Sequence, residues 1–535
     1  MPGPDTLALD RSPQNRELAS EIVRFTRRSA RRYQRSRVSW GTRFVDVYSW
    51  GLGIGVSLTI AASFVLALRN EIANRASTTG SIIGEQWLVL PEPVLWTAVT
   101  FAALVVINNL ARKLGPMSVN GAESSWWLTL PVDRRPMVLP PFLRTVAITG
   151  AGAAVVYLPF SMVTAVDRAP LHHLLASLTF GFAGAIAVIL AALQQLAFIG
   201  PGSLGMRSVG LRSLGVRLLG PRLGATIAAA LLLACSVLPA LTSSAWPTAL
   251  VAVAAVVLLA LVVPRAGQVR GDELVRSGAV AGHAGASLFM MDSNEVLRAL
   301  GGTRKRVDGG RAASYYARPA QGPLRSLIRA DVVAFLRLNP PVIPPILWLT
   351  ACIAILFVEG GLPEFAQLAV IVIAGCATAS GLGGVARRTA LVPELDAMLP
   401  LHQALVRTSR TLMPCVAMSV WMAVLCSLLA LLGAANPALI GVGALAGVGM
   451  GAGTLRAATR TPPDWTAPPV ETPFGPVPRA QLGSLMRGLD VTILAMVPLL
   501  VAQYLGYVPM SVNAVQAAFS AGIFLLVVLT RPKRS

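Results

Sequence analysis

The chain has 535 residues, of which 54% are hydrophobic and 13% are charged, and its mean hydropathy is +0.65. A soluble domain carries about 25% charged residues, so this composition excludes an ordinary soluble enzyme, a disordered chain and a disulfide-rich secreted protein. The formal net charge is +21, but the basic residues flank apolar runs instead of forming one stripe, which argues against a nucleic-acid-binding protein. The composition predicts a polytopic membrane protein.

An α-helix needs about 20 apolar residues to cross the hydrocarbon core of a bilayer. The apolar runs of the sequence predict an all-α fold with about 12 transmembrane helices, and their Ala and Gly content suits close helix packing in lipid. The predicted spans are 48–68, 94–110, 143–163, 174–196, 223–241, 246–263, 342–358, 365–385, 412–432, 438–455, 491–505 and 512–529.

The distribution of Lys and Arg predicts the orientation of these spans, because cytoplasmic loops of membrane proteins carry the excess of both residues. With the N-terminus inside and twelve alternating spans, the cytoplasmic segments contain 42 Lys and Arg. The external segments contain three, Arg69, Arg75 and Arg168. A missed or invented span would scramble this asymmetry, so we predict that both termini are cytoplasmic.

The long polar stretch 264–340 separates the spans into two groups of six. Each group follows a basic amphipathic segment and has a Leu-Pro loop after its second span, which predicts two modules of the same orientation related by an axis along the membrane normal. The predicted organisation is a cytoplasmic N-terminus with an interfacial helix at 1–47, a first six-span module at 48–263, a cytoplasmic linker with a second interfacial helix at 264–340, a second six-span module at 341–530 and a cytoplasmic tail at 531–535.

Both amphipathic segments combine an apolar face with a cationic one, the pattern of a helix that lies in the membrane interface. In the first segment, residues 16–38, we predict that Leu18, Ile22 and Phe25 share the apolar face. The second segment is 323–340. A further short helix is predicted at 287–300, within the linker.

The sequence predicts no catalytic residue and no metal site in this chain. The four His have no metal-ligand spacing, and all five Cys lie inside apolar runs. A nucleotide-binding P-loop is excluded, because none of the Lys residues, Lys113, Lys305 and Lys533, stands in the required G-x-x-x-x-G-K-[ST] frame. We therefore expect that any ATP that drives this protein is hydrolysed on another polypeptide.

Polar side chains inside the predicted spans are few, and the pairs Asn108-Asn109 and Gln194-Gln195 are the main ones. They either form hydrogen bonds between packed helices or line a substrate path. An ion-coupled transporter usually buries a titratable or charged side chain at mid-membrane. No acidic residue lies clearly at the centre of a span, which favours transport that is powered from the cytoplasm.

The loop after the second span, SSWWLTLPVDRR (124–135), contains more than turn residues. Its adjacent tryptophans, Trp126 and Trp127, are typical of an anchor at the lipid headgroups. They are also typical of a short helix that inserts into a hydrophobic groove on a soluble partner. The matching loop of the second half repeats the Leu-Pro pair of the first, which favours the second interpretation.

An amphipathic helix, a six-span module and a W-x-x-L-P-V-x-R-type segment after its second span resemble the permeases of ATP-binding cassette exporters of the second type. In particular, the chain is similar to actinobacterial permeases in which two such modules are fused. The resemblance covers the whole length in layout but only the amphipathic segments and the Leu-Pro loops in sequence, and the second loop lacks the paired Trp and the Arg pair. It implies that these loops are coupling helices that dock on a nucleotide-binding subunit, through Trp126, Trp127, Leu130, Pro131, Asp133, Arg134 and Arg135 in the first loop and Glu394, Asp396, Leu399, Pro400 and His402 in the second.

The resemblance implies a permease subunit in a bacterial plasma membrane that exports an amphiphilic or hydrophobic small molecule or a peptide. A separate nucleotide-binding subunit, in two copies, is expected to bind ATP and magnesium, and this chain is expected to hold no cofactor. The alternative is a secondary transporter of the major facilitator type, which also has two groups of six spans. Its signature loop between spans two and three is very short, whereas that loop spans 111–142 here and lacks the signature glycines. A membrane-embedded enzyme, the third possibility, has no candidate residues.

Overall fold

The fold is described from a computed structural model. It describes residues 13–37, 39–76, 90–165, 168–197, 221–241, 244–290, 292–301, 322–338, 343–358, 362–460, 468, 470–472, 475–477 and 488–530. The start of the predicted N-terminal segment and the whole predicted tail, 531–535, lie outside the described residues.

The described residues are almost entirely helical. The α-helices are α1 (Pro13–Arg37), α2 (Trp40–Ala76), α3 (Glu92–Leu114), α4 (Gly121–Trp127), α5 (Arg135–Thr164), α6 (Pro170–Ala197), α7 (Pro221–Val237), α8 (Trp246–Val262), α9 (Gly271–Phe289), α10 (Ser293–Leu300), α11 (Pro323–Leu338), α12 (Ile343–Leu356), α13 (Glu364–Leu382), α14 (Gly384–Thr389), α15 (Pro393–Ala397), α16 (Gln403–Leu431), α17 (Leu439–Ala458), α18 (Leu489–Leu505) and α19 (Met510–Leu529). Short 3₁₀ turns follow α7 at Leu238–Leu241 and α8 at Val263–Gln268. Strands β1 (Val470–Thr472) and β2 (Gly475–Val477) form a small antiparallel hairpin.

Eight helices in the described part of the chain are long and apolar enough to cross a membrane. They are Glu92–Leu114, Arg135–Thr164, Pro170–Leu196, Trp246–Gln268, Glu364–Leu382, Gln403–Leu431, Leu439–Ala458 and Met510–Leu529. Each contains or overlaps one of the predicted spans. The all-α fold class is therefore confirmed, and the long apolar helices indicate a membrane-embedded protein.

The four other predicted spans also fall on helices. Three of them coincide with shorter apolar helices, Thr226–Ala240, Pro344–Leu356 and Leu489–Leu505. The first predicted span, 48–68, lies within α2, which has 37 residues.

The chain divides into two compact units. The first unit comprises Met1–Thr78 and Trp96–Ala284, and the second comprises Thr79–Leu95 and Gly285–Ser535. Leu90 belongs to the second unit because its backbone N–H donates to the carbonyl oxygen of Phe357 at 2.9 Å.

In the first unit, α5 and α6 pack closely because small residues face each other. A Cβ atom built on Gly181 would lie 2.9 Å from both the Ala154 Cβ and the Gly150 carbonyl oxygen. Small residues of this kind let helix backbones approach in a lipid environment, where dispersion contacts drive association. The buried side chains around this contact include Phe180, Ile186 and Leu190 on α6.

In the second unit, α17 lies among α16, α18 and α19, and its glycines face these neighbours. A Cβ on Gly443, Gly447 or Gly451 would overlap atoms of α16, and a Cβ on Gly453 would lie 2.6 Å from the Thr492 hydroxyl of α18. Hydrogen bonds accompany this close packing: Ser419 Oγ on α16 donates to the carbonyl oxygen of Ala444 at 2.8 Å. The core of the second unit is therefore built on backbone contact between helices.

The residues that follow α8, as far as Ala284, belong to the first compact unit, although they lie within the predicted linker 264–340. Helix α9 crosses the segment 117–119 so closely that a Cβ on Gly278 would overlap the carbonyl group of Val119. The prediction of one helix at 287–300 is wrong, because α9 ends at Phe289 and α10 begins at Ser293. Asp292 separates them by accepting hydrogen bonds from the backbone N–H groups of Asn294 and Glu295, which is an N-cap.

Candidate functional site

The first Leu-Pro loop contains the short helix α4, and this helix turns its two tryptophans in different directions. The Trp126 side chain is 77% exposed, whereas Trp127 is 7% exposed. Successive residues on a helix are about 100° apart, so only one of a Trp pair can face the protein. The sequence does not distinguish the two residues, whereas the structure does.

Trp127 packs against the helix that precedes the first predicted span. Its buried neighbours are Ala19 and Val23 of α1, Val132 of the loop and Met137 of α5. These five residues, which we call the elbow–loop cluster, hold the loop against α1. Removing these apolar side chains from water stabilises the contact without help from any other subunit.

Charged residues of the same loop reinforce the elbow–loop cluster. Asp133 accepts a hydrogen bond from Arg16 Nε of α1 at 3.2 Å and another from the backbone N–H of Arg135 at 3.0 Å. Arg134 is buried, and Arg135 begins α5. Leu130 and Pro131 are exposed, as Trp126 is, so the apolar residues of the loop that can meet a partner include Trp126, Leu130 and Pro131.

The packed face of α1 differs from the predicted one. Ala19, Ile22 and Val23 face the elbow–loop cluster, whereas Leu18 and Phe25 are exposed. Leu18, Ile22 and Phe25 lie within an arc of about 60°, and this predicted face is covered by the loop only at Ile22. Thr26, which continues the packed side, uses its hydroxyl to donate to the carbonyl oxygen of Ile22 at 2.9 Å, so a polar residue is accommodated there.

The second Leu-Pro loop also contains a short helix, α15, with exposed apolar side chains around it. Leu395 and Met398 are exposed, and Glu394 and Pro400 are exposed beside them. Leu399 is half-buried. His402 caps the next helix, because its Nδ1 accepts the backbone N–H of Ala404 at 3.3 Å. In this position His402 orders the start of α16 and is oriented by the backbone.

A partly buried ion triad connects the second loop to α11, the second amphipathic helix. Arg410 of α16 donates to Asp331 of α11 at 2.6 Å and to Asp396 of α15 at 2.9 Å. Asp331 also accepts the hydroxyl of Ser409 at 2.6 Å. Burial raises the pKa of Asp331, and the hydrogen bond from Ser409 and the charge of Arg410 offset this only in part. The triad fixes α15 to α11 as the elbow–loop cluster fixes α4 to α1.

Replacing Arg410 with glutamine is expected to destabilise the second unit by about 3 kcal/mol at neutral pH, because two carboxylates lose the cation that they share. Asp331 has a raised pKa in the folded chain, so its protonated form contributes stability that is lost as the pH rises through that pKa. We therefore expect the deficit of Arg410→Gln to shrink as the pH falls towards about 4, the ordinary aspartate pKa. Thermal unfolding of both chains in detergent across this pH range measures how the stability deficit changes with pH.

The control for this variant is Arg270→Gln, which breaks the exposed pair between Arg270 and Asp272. Exposed ion pairs contribute about 0–1 kcal/mol, so this variant is expected to unfold close to wild type at every pH. An Arg410→Gln deficit that is equally large at acidic and neutral pH would contradict the assignment of the triad.

The four polar residues predicted for a substrate path have different surroundings. Asn108 donates to the carbonyl oxygen of Ala187 at 2.7 Å, a hydrogen bond between helices α3 and α6. Gln195 binds the backbone of Met117, accepting from its N–H at 3.2 Å and donating to its carbonyl oxygen at 3.0 Å. Asn109 is exposed, and Gln194 is half-buried. The contacts of Asn108 and Gln195 are those of helix and loop packing.

An apolar groove of about 570 Å³ lies in the first unit between α5, α6 and α8. Its lining includes the small residues Gly150, Ala154 and Gly181 and the larger side chains of Phe182, Val256 and Leu259. None of Asn108, Asn109, Gln194 and Gln195 lines it. The groove is suited to aliphatic groups, since its lining is almost wholly apolar.

Helix α10 contacts α14 and the C-terminal end of α17 in the second unit, which the sequence does not predict. Arg460 forms an ion pair with the N-cap Asp292, and Asn294 donates to the carbonyl oxygen of Ala458 at 3.4 Å. Arg298 pairs with Glu295 and also donates to the carbonyl oxygen of Arg387 at 3.1 Å. Burial, together with the charge of Arg298, lowers the pKa of Arg387 to about 10. The signal in the sequence was the Asp-x-x-Glu capping box at 292–295.

The family profile described as "Family of unknown function (DUF6297)" matches residues 91–468 of the chain. No curated protein and no solved structure matches the chain. The matched range includes both Leu-Pro loops, the second amphipathic helix α11 and the residues of the ion triad.

Proposed function

The chain belongs to the DUF6297 family, and we propose that it is the membrane-embedded permease subunit of an ATP-driven exporter. In this proposal the two Leu-Pro loops dock on nucleotide-binding subunits, which bind ATP and magnesium and supply the energy. The cargo is an amphiphilic or hydrophobic small molecule or a peptide.

The observation that carries the proposal is an arrangement found within each unit. A short helix, α4 or α15, follows the second predicted span and exposes large apolar side chains, chiefly Trp126 in one and Met398 in the other. In the first unit, the ion pair between Arg16 and Asp133 connects the loop to the amphipathic helix α1. In the second unit, the ion pair between Asp331 and Arg410 connects the amphipathic helix α11 to α16, which follows the loop. Exposed apolar side chains on a fixed backbone are typical of a docking surface, since little entropy is lost on binding.

The proposed topology has twelve spans in two six-span modules, with both termini in the cytoplasm of a bacterial cell. The 42 Lys and Arg on one side against three on the other support it. With this orientation both Leu-Pro loops, α10 and the ion triad lie on the cytoplasmic side, where a soluble ATPase is available.

The absence of a P-loop from the sequence supports ATP hydrolysis on a partner. The proposal is tested by co-expression with P-loop ATPases encoded in neighbouring reading frames, followed by purification of the complex. The pure chain is expected to hydrolyse no ATP, and one such ATPase is expected to co-purify with it and to show turnover that depends on it.

Replacing Trp126 with alanine is expected to weaken the complex with the ATPase by about 2 kcal/mol, roughly thirtyfold in Kd, because exposed Trp side chains that fill a partner's pocket dominate interface energies. The thermal stability of the chain is expected to stay unchanged, since Trp126 is 77% exposed. The effect is measured by co-purification and by titration of the ATPase into nanodiscs that contain the chain.

The matched control is Trp246→Ala, which removes a tryptophan that is 56% exposed at the start of α8. This variant is expected to bind the ATPase as wild type does. Stoichiometric co-purification and normal transport by Trp126→Ala would show that Trp126 is an interfacial anchor only, and the docking role of the first loop would have to be abandoned.

A further inference from the structure

Helix α1 has two halves with different surroundings. Its N-terminal half packs on the elbow–loop cluster through Ala19, Ile22 and Val23. Its C-terminal half carries four exposed arginines, Arg27, Arg28, Arg31 and Arg32. None of these four forms an ion pair with another residue that the structure describes.

The exposed apolar residues of α1 form an edge beside these arginines. At about 100° per residue, Leu18, Phe25 and Tyr33 share an arc of about 80°, and all three side chains are exposed. On the same projection, Arg28 and Arg32 lie within about 60° of Phe25. An apolar edge flanked by guanidinium groups allows the rings to enter the acyl boundary while the charges stay at the headgroups.

The position of α1 in the chain places this edge close to the membrane surface. Helix α1 ends at Arg37 and α2 begins at Trp40. The first turns of α2 expose Trp40, Phe44 and Tyr48, and the rings of Phe44 and Tyr48 stack with centroids 6.3 Å apart. Aromatic residues at the end of a span are typical of the headgroup level. This step rests on the proposed crossing of the membrane by α2.

We propose that the C-terminal half of α1 binds the headgroups of anionic phospholipids. The charge supplies the attraction to a negative surface, and the aromatic edge and the adjacent belt on α2 explain why the partner is a lipid and not a nucleic acid, which needs no apolar contact. Because the other half of α1 contacts Trp127 and Asp133, headgroup binding steadies the first Leu-Pro loop. The inference thus adds a lipid requirement to the proposed docking surface.

The test uses the full chain in nanodiscs of phosphatidylcholine with increasing fractions of phosphatidylglycerol. Hydrogen–deuterium exchange is followed separately for the amides of α1 and α2. Protection of α1 is expected to rise with phosphatidylglycerol and to weaken in high salt, which screens surface charges. The double variant Arg28→Gln with Arg32→Gln is expected to need about tenfold more phosphatidylglycerol for the same protection, because each basic residue near the surface contributes measurably to lipid attraction.

The matched control is Arg270→Gln with Arg276→Gln, which removes two exposed arginines of the first unit outside α1; it is expected to respond to phosphatidylglycerol as wild type does. If hydrogen exchange in α1 does not change with phosphatidylglycerol while α2 is protected in the bilayer, the proposed lipid binding is wrong and the proposed topology stands. If α2 exchanges as an exposed helix, the proposed crossing fails. If an added oligonucleotide protects α1 in pure phosphatidylcholine and phosphatidylglycerol does not protect it, lipid is the wrong partner and the proposal is overturned.

Discussion

Replacing Gly447 with alanine is expected to destabilise the second unit by about 3 kcal/mol, because the added methyl group has no space between α16 and α17. A Cβ at this position would overlap the backbone of Met418 and Ser419. Backbone atoms cannot rotate away as a flexible side chain would, so the two helices must separate. The melting temperature in detergent and the monodisperse yield on size-exclusion chromatography measure the loss.

The control lies on the same helix. At Gly441 a Cβ would meet its nearest atom, the carboxamide oxygen of Asn513, at 3.4 Å, an ordinary van der Waals distance. Alanine has a higher helix propensity than glycine by about 1 kcal/mol, so Gly441→Ala is expected to match or exceed wild-type stability. Equal stability of the two alanine variants would contradict the close contact of α16 with α17.

Replacing Trp127 with alanine is expected to cost about 3 kcal/mol and to release the first Leu-Pro loop from α1. Its side chain is buried among Ala19, Val23 and Val132, and truncation of a buried aromatic side chain leaves a cavity that the surroundings fill only partly. Hydrogen exchange in the N-terminal half of α1 is expected to accelerate, and the melting temperature is expected to fall.

Trp126→Ala serves as the comparison, since it changes the adjacent and exposed residue. It is expected to leave stability within about 0.5 kcal/mol of wild type, as surface substitutions usually do. The two adjacent tryptophans would then separate a stabilising role from a docking role. A Trp127→Ala chain that melts at the wild-type temperature with an unchanged exchange rate in α1 would show that the elbow–loop cluster does not hold the loop.

The helices of this protein are the part that the sequence predicts well. Runs such as 365–385 and 512–529 correspond to helices Glu364–Leu382 and Met510–Leu529 within a few residues. The reason is physical: an apolar run of this length must satisfy its backbone hydrogen bonds internally in lipid, and a helix does so with neighbouring residues alone.

Contacts between distant residues are the part that the sequence does not predict. Which of Trp126 and Trp127 is buried depends on Ala19 and Val23, more than 100 positions away in the sequence. The pairing of Asp331 with Arg410 spans 79 residues in the same way. Helical periodicity predicts that α1 is amphipathic, but it does not predict which part of its surface is covered by the protein and which is left exposed.

Two local patterns in the sequence do predict structural features of the second unit. The glycines at Gly443, Gly447 and Gly451 repeat every four residues, a spacing typical of helices in backbone contact within membranes. The Asp-x-x-Glu box that begins at Asp292 predicts a helix start there. Both signals are local, and both were obscured by the general abundance of small and polar residues around them.

The four-residue glycine spacing of α17 restricts how that helix can move. A screw displacement of α17 by one residue, about 1.5 Å of rise with about 100° of rotation, would bring bulkier side chains such as Val448 to the positions that glycine occupies. Only a shift of a full glycine repeat, about 6 Å along the axis, would restore the fit. The glycine contacts therefore oppose a one-residue displacement of α17 along α16 and favour motion of the two helices together as one rigid body.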